Sequence, residues 1–362
     1  MGVLSFGIGV FDREAETYLM KRIAVLALAV LSLAACGGSS DNEQAGGGEA
    51  TTAKGGEALR VGLVTDVGQL NDRGFNQLAF QGLQRAEREL GVEGRVLEST
   101  SDAEYIPNHS ALAEQGYDVV IGVGFAQGEA VAKVAQQFPD TKFVIIDVDQ
   151  ASLPGKPANV VGLLFKEQEV GYLAGYLAAL TAKRDGDSTI SSVGGMKEPP
   201  VDRFIAGYQA GAKAADPGIT TLNGYSQDWD DLAKCKEVAL DQISKGSKIV
   251  FQVAGGCGLG ALDAAKEKHV WGIGVDADQS FLGQQVLTSA VKRVDQAVFL
   301  TIKSVIDGTW KGGGNEVFGL QDDGVGLGKI SADVPEDDVK AVDEVKQKIV
   351  SGEISDIPTT VS

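Results

Sequence analysis

Short apolar runs recur along this chain, each closing on a polar cluster of glycine, aspartate or asparagine and each followed by a longer stretch with helical spacing. That alternation restricts the fold more than any other feature. Leu59–Val64 (LRVGLV) reads as a buried strand. Phe75, Leu78, Ala79, Gly82, Leu83, Ala86 and Leu90 then recur at three and four residues, one face of a helix ended by Gly91. Val119–Val123, Lys142–Ile146 and Val160–Leu164 are further strands, with a helix over Gly128–Phe138 between the first two. After an apolar helix near Glu167–Leu180 the rhythm restarts. Strands are expected at Thr189–Val193, Thr220–Gly224, Lys248–Val253 and Val270–Val275, and helices at Val201–Ala215, Leu232–Lys245 and Gly258–Lys268. Strands that are apolar throughout and separated by helices belong to parallel sheets covered on both faces. Two such series of similar length predict an α/β chain of two similar doubly wound parallel-sheet lobes joined by a hinge. Residues 58–166 plus 279–316 are assigned to the first lobe and 167–278 plus 317–362 to the second.

The segment before Leu59 sets the compartment. Lys21 and Arg22 follow Met20 and precede an apolar run from Ile23 to Leu33, the charged-then-apolar order of a secretory signal. Residues 1–19 carry Asp12, Glu14 and Glu16, which do not suit the start of a signal, so translation is expected to begin at Met20. Leu33-Ala34-Ala35-Cys36 resembles the bacterial lipobox, which makes 20–35 a lipoprotein signal and Cys36 the acylated first residue. Residues 36–57 are rich in Gly, Ser, Ala and Thr without periodicity, a tether of roughly 25 Å reach. No later stretch approaches the ~18 apolar residues of a membrane span, so anchoring to the bilayer is expected through Cys36 alone.

The whole chain carries 50 acidic residues against 32 basic ones, a net charge of −18, which argues against a nucleic-acid partner. Ligands of doubly wound sheets sit at the carboxyl ends of the strands. Here those ends hold Asp66, Gly124-Phe125, Asp147 and Asp149 in IIDVDQ, Gly194-Gly195, the run Gln227-Asp228-Trp229-Asp230-Asp231, Gly255-Gly256-Cys257-Gly258, and Asp276 and Asp278 in GVDADQ. Carboxylate acceptors and backbone amides suit a neutral polyhydroxylated ligand and suit a phosphate poorly.

Asp66-Val-Gly with Asn71-Asp72-Arg73-Gly74-Phe75-Asn76-Gln77, Gly274-Val275-Asp276-Ala277-Asp278-Gln279, and Leu287-Thr288-Ser289-Ala290-Val291-Lys292 together resemble the basic membrane protein family of substrate-binding lipoproteins. The likeness runs from about Leu59 to Ile354. It implies a type I periplasmic-binding-protein-like fold, no enzymatic activity and no cofactor. It also implies an extracytoplasmic lipoprotein that captures a purine nucleoside between its lobes for an ABC permease. Carried over by position, Phe75 and Trp229 would cover the two faces of the base, and Asp66 and Asn76 would meet its edge. Asp276 would accept from both the 2′ and 3′ hydroxyls of the ribose, and Gly256 would offer its amide to the sugar. Lys292 would reach the ligand or pair with a cleft aspartate. Asp147 is the acid expected after the fourth strand, with Asp149 the alternative two residues on.

Cys235 and Cys257 stand where the family often has glycine. With Cys36 lipidated in an oxidising compartment, these two remain and are expected to form a disulfide. Other readings are a binder of a sugar, a flavin or a furanosyl signal, a nucleosidase, or a dinucleotide enzyme. The last rests on Gly256-Cys-Gly258-Leu-Gly260, whose glycine spacing departs from the dinucleotide fingerprint. QDWDD and VDADQ lack the spacing of a calcium loop, so no metal is expected. His109 and His269 lie far apart and read as surface or edge residues.

Overall fold

The computed structural model describes residues 58–361. The expected start at Met20, the signal at 20–35, the lipidated Cys36 and the tether at 36–57 lie outside the described residues. Among the described residues no helix is long and apolar enough to cross a membrane.

The chain runs β1 (Arg60–Val64), α1 (Phe75–Leu90), β2 (Glu93–Leu97), α2 (Tyr105–Glu114), β3 (Val119–Gly122), α3 (Gly128–Gln137), β4 (Lys142–Ile146) and β5 (Val160–Phe165). It continues through α4 (Glu167–Asp185), β6 (Thr189–Gly194), α5 (Pro199–Ala215), β7 (Thr220–Tyr225), α6 (Leu232–Ser244), β8 (Ile249–Val253), α7 (Gly258–Lys268), β9 (Trp271–Asp276) and β10 (Val286–Lys292). It ends with α8 (Val294–Ile306), β11 (Gly314–Phe318), β12 (Val325–Leu327) and α9 (Glu336–Val350). One sheet has the order β11-β5-β4-β3-β1-β2 and the other β12-β10-β9-β8-β6-β7. Both thus repeat the same doubly wound order with a reversal beside the first strand. All pairs are parallel except β10 with β12.

Two expected boundaries move. Residues 279–292 were assigned to the first lobe, but β10 pairs with β9 in parallel register from Gly272 to Asp276 and so belongs to the second sheet. Val317 and Phe318, assigned to the second lobe, pair with Leu164 and Phe165 at the edge of the first. The chain therefore crosses between lobes at Phe165–Glu167, at Lys292–Val294 and between β11 and β12. The edge strand β2, with its half-exposed EGRVL sequence, and the helix α2 carry weaker periodic signals than the buried strands.

Helices α4 and α5 meet backbone to backbone. A Cβ on Gly171 or Gly175 would lie 2.3 and 1.9 Å from the carbonyl oxygens of Phe204 and Tyr208. One on Gly207 or Gly211 would lie 2.2 and 2.0 Å from those of Gln168 and Tyr172. The two G-x-x-x-G pairs are thus reciprocal, and the contact sets the first turn of α4, with Glu167, against Arg203 and Phe204 of α5.

Candidate functional site

The reversal points of the two sheets face one another, and one cavity lies between them. Its lining includes Asp66, Phe75, Asn76, Asp147, Trp229, Gly256, Asp276 and Lys292, every ligand-contacting position expected from the sequence. The first lobe contributes Asp66, Phe75, Asn76 and Asp147, and the second contributes the rest. Asp147 rather than Asp149 faces the cavity. Asp149 is exposed, caps the next turn through the Ala151 amide at 2.9 Å and accepts from Asn315 at 2.7 Å.

The loop after β1 is locked by its own polar groups. The Asp66 amide donates to Asn76 Oδ1 at 3.0 Å, which fixes which end of that side chain is oxygen. Tyr105 donates its hydroxyl to Asp66 Oδ1, and the Val67 amide donates to the same atom at 2.8 Å. Burial pushes the Asp66 carboxyl up to about 6, against the pull of these two bonds. Asp72 caps α1, accepting from the amides of Gly74 at 2.9 Å, Asn76 at 2.8 Å and Gln77 at 3.2 Å. This cap holds Phe75, the first helical residue, at the cavity wall. Gly124, with φ +115°, lies against Asp66: a Cβ there would sit 2.0 Å from Asp66 Oδ2.

On the facing lobe the Trp229 indole lies over Gly195, where a Cβ would come within 2.3 Å of the ring. Its loop is held by Asp228, which accepts from the amides of Asp230 and Asp231 and from Lys234 Nζ at 2.6 Å. The Cys257 amide donates to the Trp229 carbonyl at 2.9 Å. Cys235 and Cys257 form a disulfide with Cα atoms 5.6 Å apart, which ties α6 to the glycine loop before α7. The glycines that suggested a dinucleotide turn serve that packing. A Cβ on Gly260 would lie 1.9 Å from the Leu232 carbonyl, and one on Gly258 would lie 1.8 Å from Gln252 Oε1.

Asp147 and Asp276 occupy the same place in the two lobes, just past or at the end of β4 and β9, each in a D-x-D-Q sequence. Both adopt left-handed backbone, with φ of 71° and 62°. Their side chains have diverged. Lys292 Nζ donates to both oxygens of Asp147 at 2.7 Å and to Glu167 Oε1 at 2.8 Å, and the three groups are buried. Rings of Phe75, Phe165 and Phe204 stand 4.9 to 5.9 Å from the ammonium. Burial alone would lower the Lys292 pKa, but the carboxylates of Asp147, Glu167 and Asp276 outweigh it and hold the amine charged. Glu167 Oε2 faces Arg203 at 3.6 Å, an ion pair too long for a hydrogen bond. Asp276 accepts no hydrogen bond from the described residues. Burial, aided by the Asp72, Asp147 and Glu167 charges and opposed by Lys292, pushes its carboxyl up to about 7.

Sequence reasoning quoted Asp72 and Phe125 within their motifs without giving them a role, and it passed over Glu167, Glu198 and Phe204. Of these, all but Glu167 line the cavity directly. His109 is corrected: it is fully buried, not at a surface. Gln127 spends its amide hydrogens on the Val64 and Val123 carbonyls at 3.1 and 2.8 Å, so its Oε1 accepts from His109 Nε2 at 2.8 Å. The pair braces β1 against β3 beside the cavity, and burial lowers the imidazole to about 4. His269 does lie at the surface.

The family model of the ABC transporter substrate-binding protein PnrA-like group, Bmp, matches residues 59–359. The chain belongs to the Bmp family. Among Bmp relatives, the CD4+ T-cell-stimulating antigen of Listeria innocua is 34% identical, over 93% of this chain and 98% of the relative. The ABC transporter nucleoside-binding protein BmpA of Lactococcus lactis is 33% identical, over 92% and 97%. A solved ABC transporter solute-binding protein from Aeropyrum pernix superposes with a TM-score of 0.75 at 30% identity, covering 83% of this chain and 94% of the other. As a Bmp protein it is a substrate-binding component of an ABC transporter and not an enzyme, with the periplasmic-binding-protein fold expected from the sequence. The dinucleotide-enzyme and nucleosidase readings are set aside on this ground.

Proposed function

We propose that the protein captures a purine nucleoside between its lobes and presents it to an ABC permease, held at the bacterial membrane by acylated Cys36. The observation that carries this reading is the contrast between the two equivalent aspartates. Asp147 is saturated by Lys292, whereas Asp276 faces a cavity walled by Phe75 and Trp229 with both oxygens unclaimed by protein donors. A buried carboxylate without donors asks for a ligand that supplies them. Vicinal ribose hydroxyls do so as a pair, and aromatic walls from opposite lobes suit a flat base. Asp66 and Asn76, fixed by Tyr105 and by the loop amide, stand with Phe75 on the base side. Lys292 acts on the ligand indirectly, as the counter-ion that holds Asp147 and Glu167. The name of the Lactococcus lactis relative supports the same ligand class. A sugar would leave one aromatic wall without a partner.

Calorimetric titration of the full chain with nucleosides, free bases, pentoses and riboflavin tests this. Purine nucleosides are expected to bind and be recovered intact. Tighter binding of a pentose or riboflavin, or release of free base, would overturn the reading.

A further inference from the structure

We infer that Glu198 is a specificity-determining residue of the cleft, an acceptor for N–H groups on the six-membered ring edge of the bound base. This inference rests on the purine nucleoside reading.

Glu198 stands at the N-cap of α5, where an acidic side chain ordinarily turns back on the helix amides. Asp72 does so at the start of α1 and Asp231 at the start of α6. Here Pro199 and Pro200 fill the first two helical positions and remove two of those amides, and the Glu198 side chain makes no capping bond. The neighbouring cations are directed elsewhere. Lys197 Nζ lies 5.9 Å from the Tyr225 ring centroid, and Arg203 faces Glu167 at 3.6 Å. No described residue donates to the Glu198 carboxylate, yet it lines the same cavity as Asp66 and Trp229. Burial raises its carboxyl to about 7, and the acid whose charge acts on it most strongly is Asp66, on the opposite lobe.

Asp66 and Glu198, from facing lobes, line one cavity with Trp229, whose indole covers Gly195 three residues before Glu198, so Glu198 stands on the side assigned to the base. Asp66 already accepts from Tyr105 and Val67, so Glu198 is the one with full accepting capacity. The ribose hydroxyls are assigned to Asp276. Besides the 5′-hydroxyl, which stays on the ribose side, the remaining donors of a nucleoside are the amino or imino hydrogens of its base: the amine of adenosine, the imino hydrogen of inosine, or both kinds in guanosine. A site built to accept such a hydrogen discriminates strongly against a ligand lacking it, because the acceptor is left unpaired.

The test compares adenosine and guanosine with purine riboside, which keeps the ring and the ribose but has no N–H on its six-membered ring. Affinities are measured by calorimetry on the full chain for the wild type, Glu198→Ala and Glu198→Gln. The wild type is expected to prefer the amino-bearing nucleosides by at least tenfold. In Glu198→Ala that preference collapses to less than threefold, because adenosine and guanosine lose affinity while purine riboside, no longer facing an unpaired carboxylate, loses none. Glu198→Gln keeps an acceptor oxygen and the shape of the side chain, so it retains part of the preference and controls for misfolding. An unchanged preference in both variants, or an equal loss for all three ligands, overturns the assignment. A wild type that binds none of the three refutes the nucleoside reading itself and takes this inference with it.

Discussion

At the scale of single residues, the cleft divides its acids into those already saturated and those left open. Asp276 is open, so Asp276→Asn is expected to weaken nucleoside binding by about 1–3 kcal/mol, the worth of a charge-assisted hydrogen bond. Trp229→Ala is expected to cost a similar amount by removing one stacking face. Titration calorimetry measures both, and wild-type affinity in the pair would reject the site. Lys292 is the opposite case. Lys292→Met leaves Asp147 and Glu167 buried without their counter-ion, so about 3–5 kcal/mol of stability is expected to be lost. Chemical denaturation reads this directly, and a stability loss under 1 kcal/mol would show the triad to be hydrated. The cavity positions were legible in the sequence because strand ends, tight loops and the family motifs all marked them. Their pairing was not. Lys292 and Asp147 are 145 residues apart, and no local spacing reveals that one aspartate of a repeated D-x-D-Q pair is neutralised while the other stays open. Glu198 left a faint signal, the Glu-Pro-Pro sequence, which denies an N-cap acid its amides.

At the scale of elements, the parallel strands could be read because burial on both faces writes a continuous apolar run. The lobe boundary near β10 could not, because a chain that crosses between sheets more than once has equally apolar strands on either side of each crossing. Only the register with β9 places Val286–Lys292. Helix packing leaves a sharper trace in glycine. Gly175→Ala would set a methyl 1.9 Å from the Tyr208 carbonyl and force α4 and α5 apart. Overpacking of this kind costs typically 1–3 kcal/mol and occasionally more. The expected thermal melting point is therefore several degrees below wild type, whereas Gly326→Ala, which meets nothing within 4 Å, should leave it within about a degree. Equal melting points for the two variants would mean that the helices can separate freely. Because α4 and α5 carry Glu167, Arg203 and Glu198, the first variant should also lower ligand affinity.

At the scale of the whole molecule, the cleft holds far more negative charge than positive. Asp66, Asp72, Asp147, Glu167, Glu198 and Asp276 stand against Lys292 and Arg203. Burial raises the carboxyls of Asp66 to about 6 and of Glu198 and Asp276 to about 7. For each of these acids the folded, closed form binds its proton more tightly than the open or unfolded form does. Their contribution to stability is therefore present in full below pH 3.8, the ordinary aspartate value, declines above it and is lost as pH rises through 6 to 7. Asp228, held down to about 2, and Lys292, held above its ordinary value, do not change charge between pH 5 and 8, and His109, buried within the first lobe and lowered to about 4, is neutral there in the folded protein, so the cleft acids govern the charge between the lobes in that window. Ionising them without donors favours hydration, which two lobes joined by crossing segments achieve by hinging apart. On the proposed reading a bound nucleoside would supply the donors and reverse the balance. Small-angle scattering on the ligand-free protein should give a smaller radius of gyration at pH 5.5 than at pH 8. Saturating nucleoside at pH 8 should restore the smaller value and raise the melting point more than it does at pH 5.5. A radius that ignores both pH and ligand would mean that the cleft is rigid and that its acids are compensated by water.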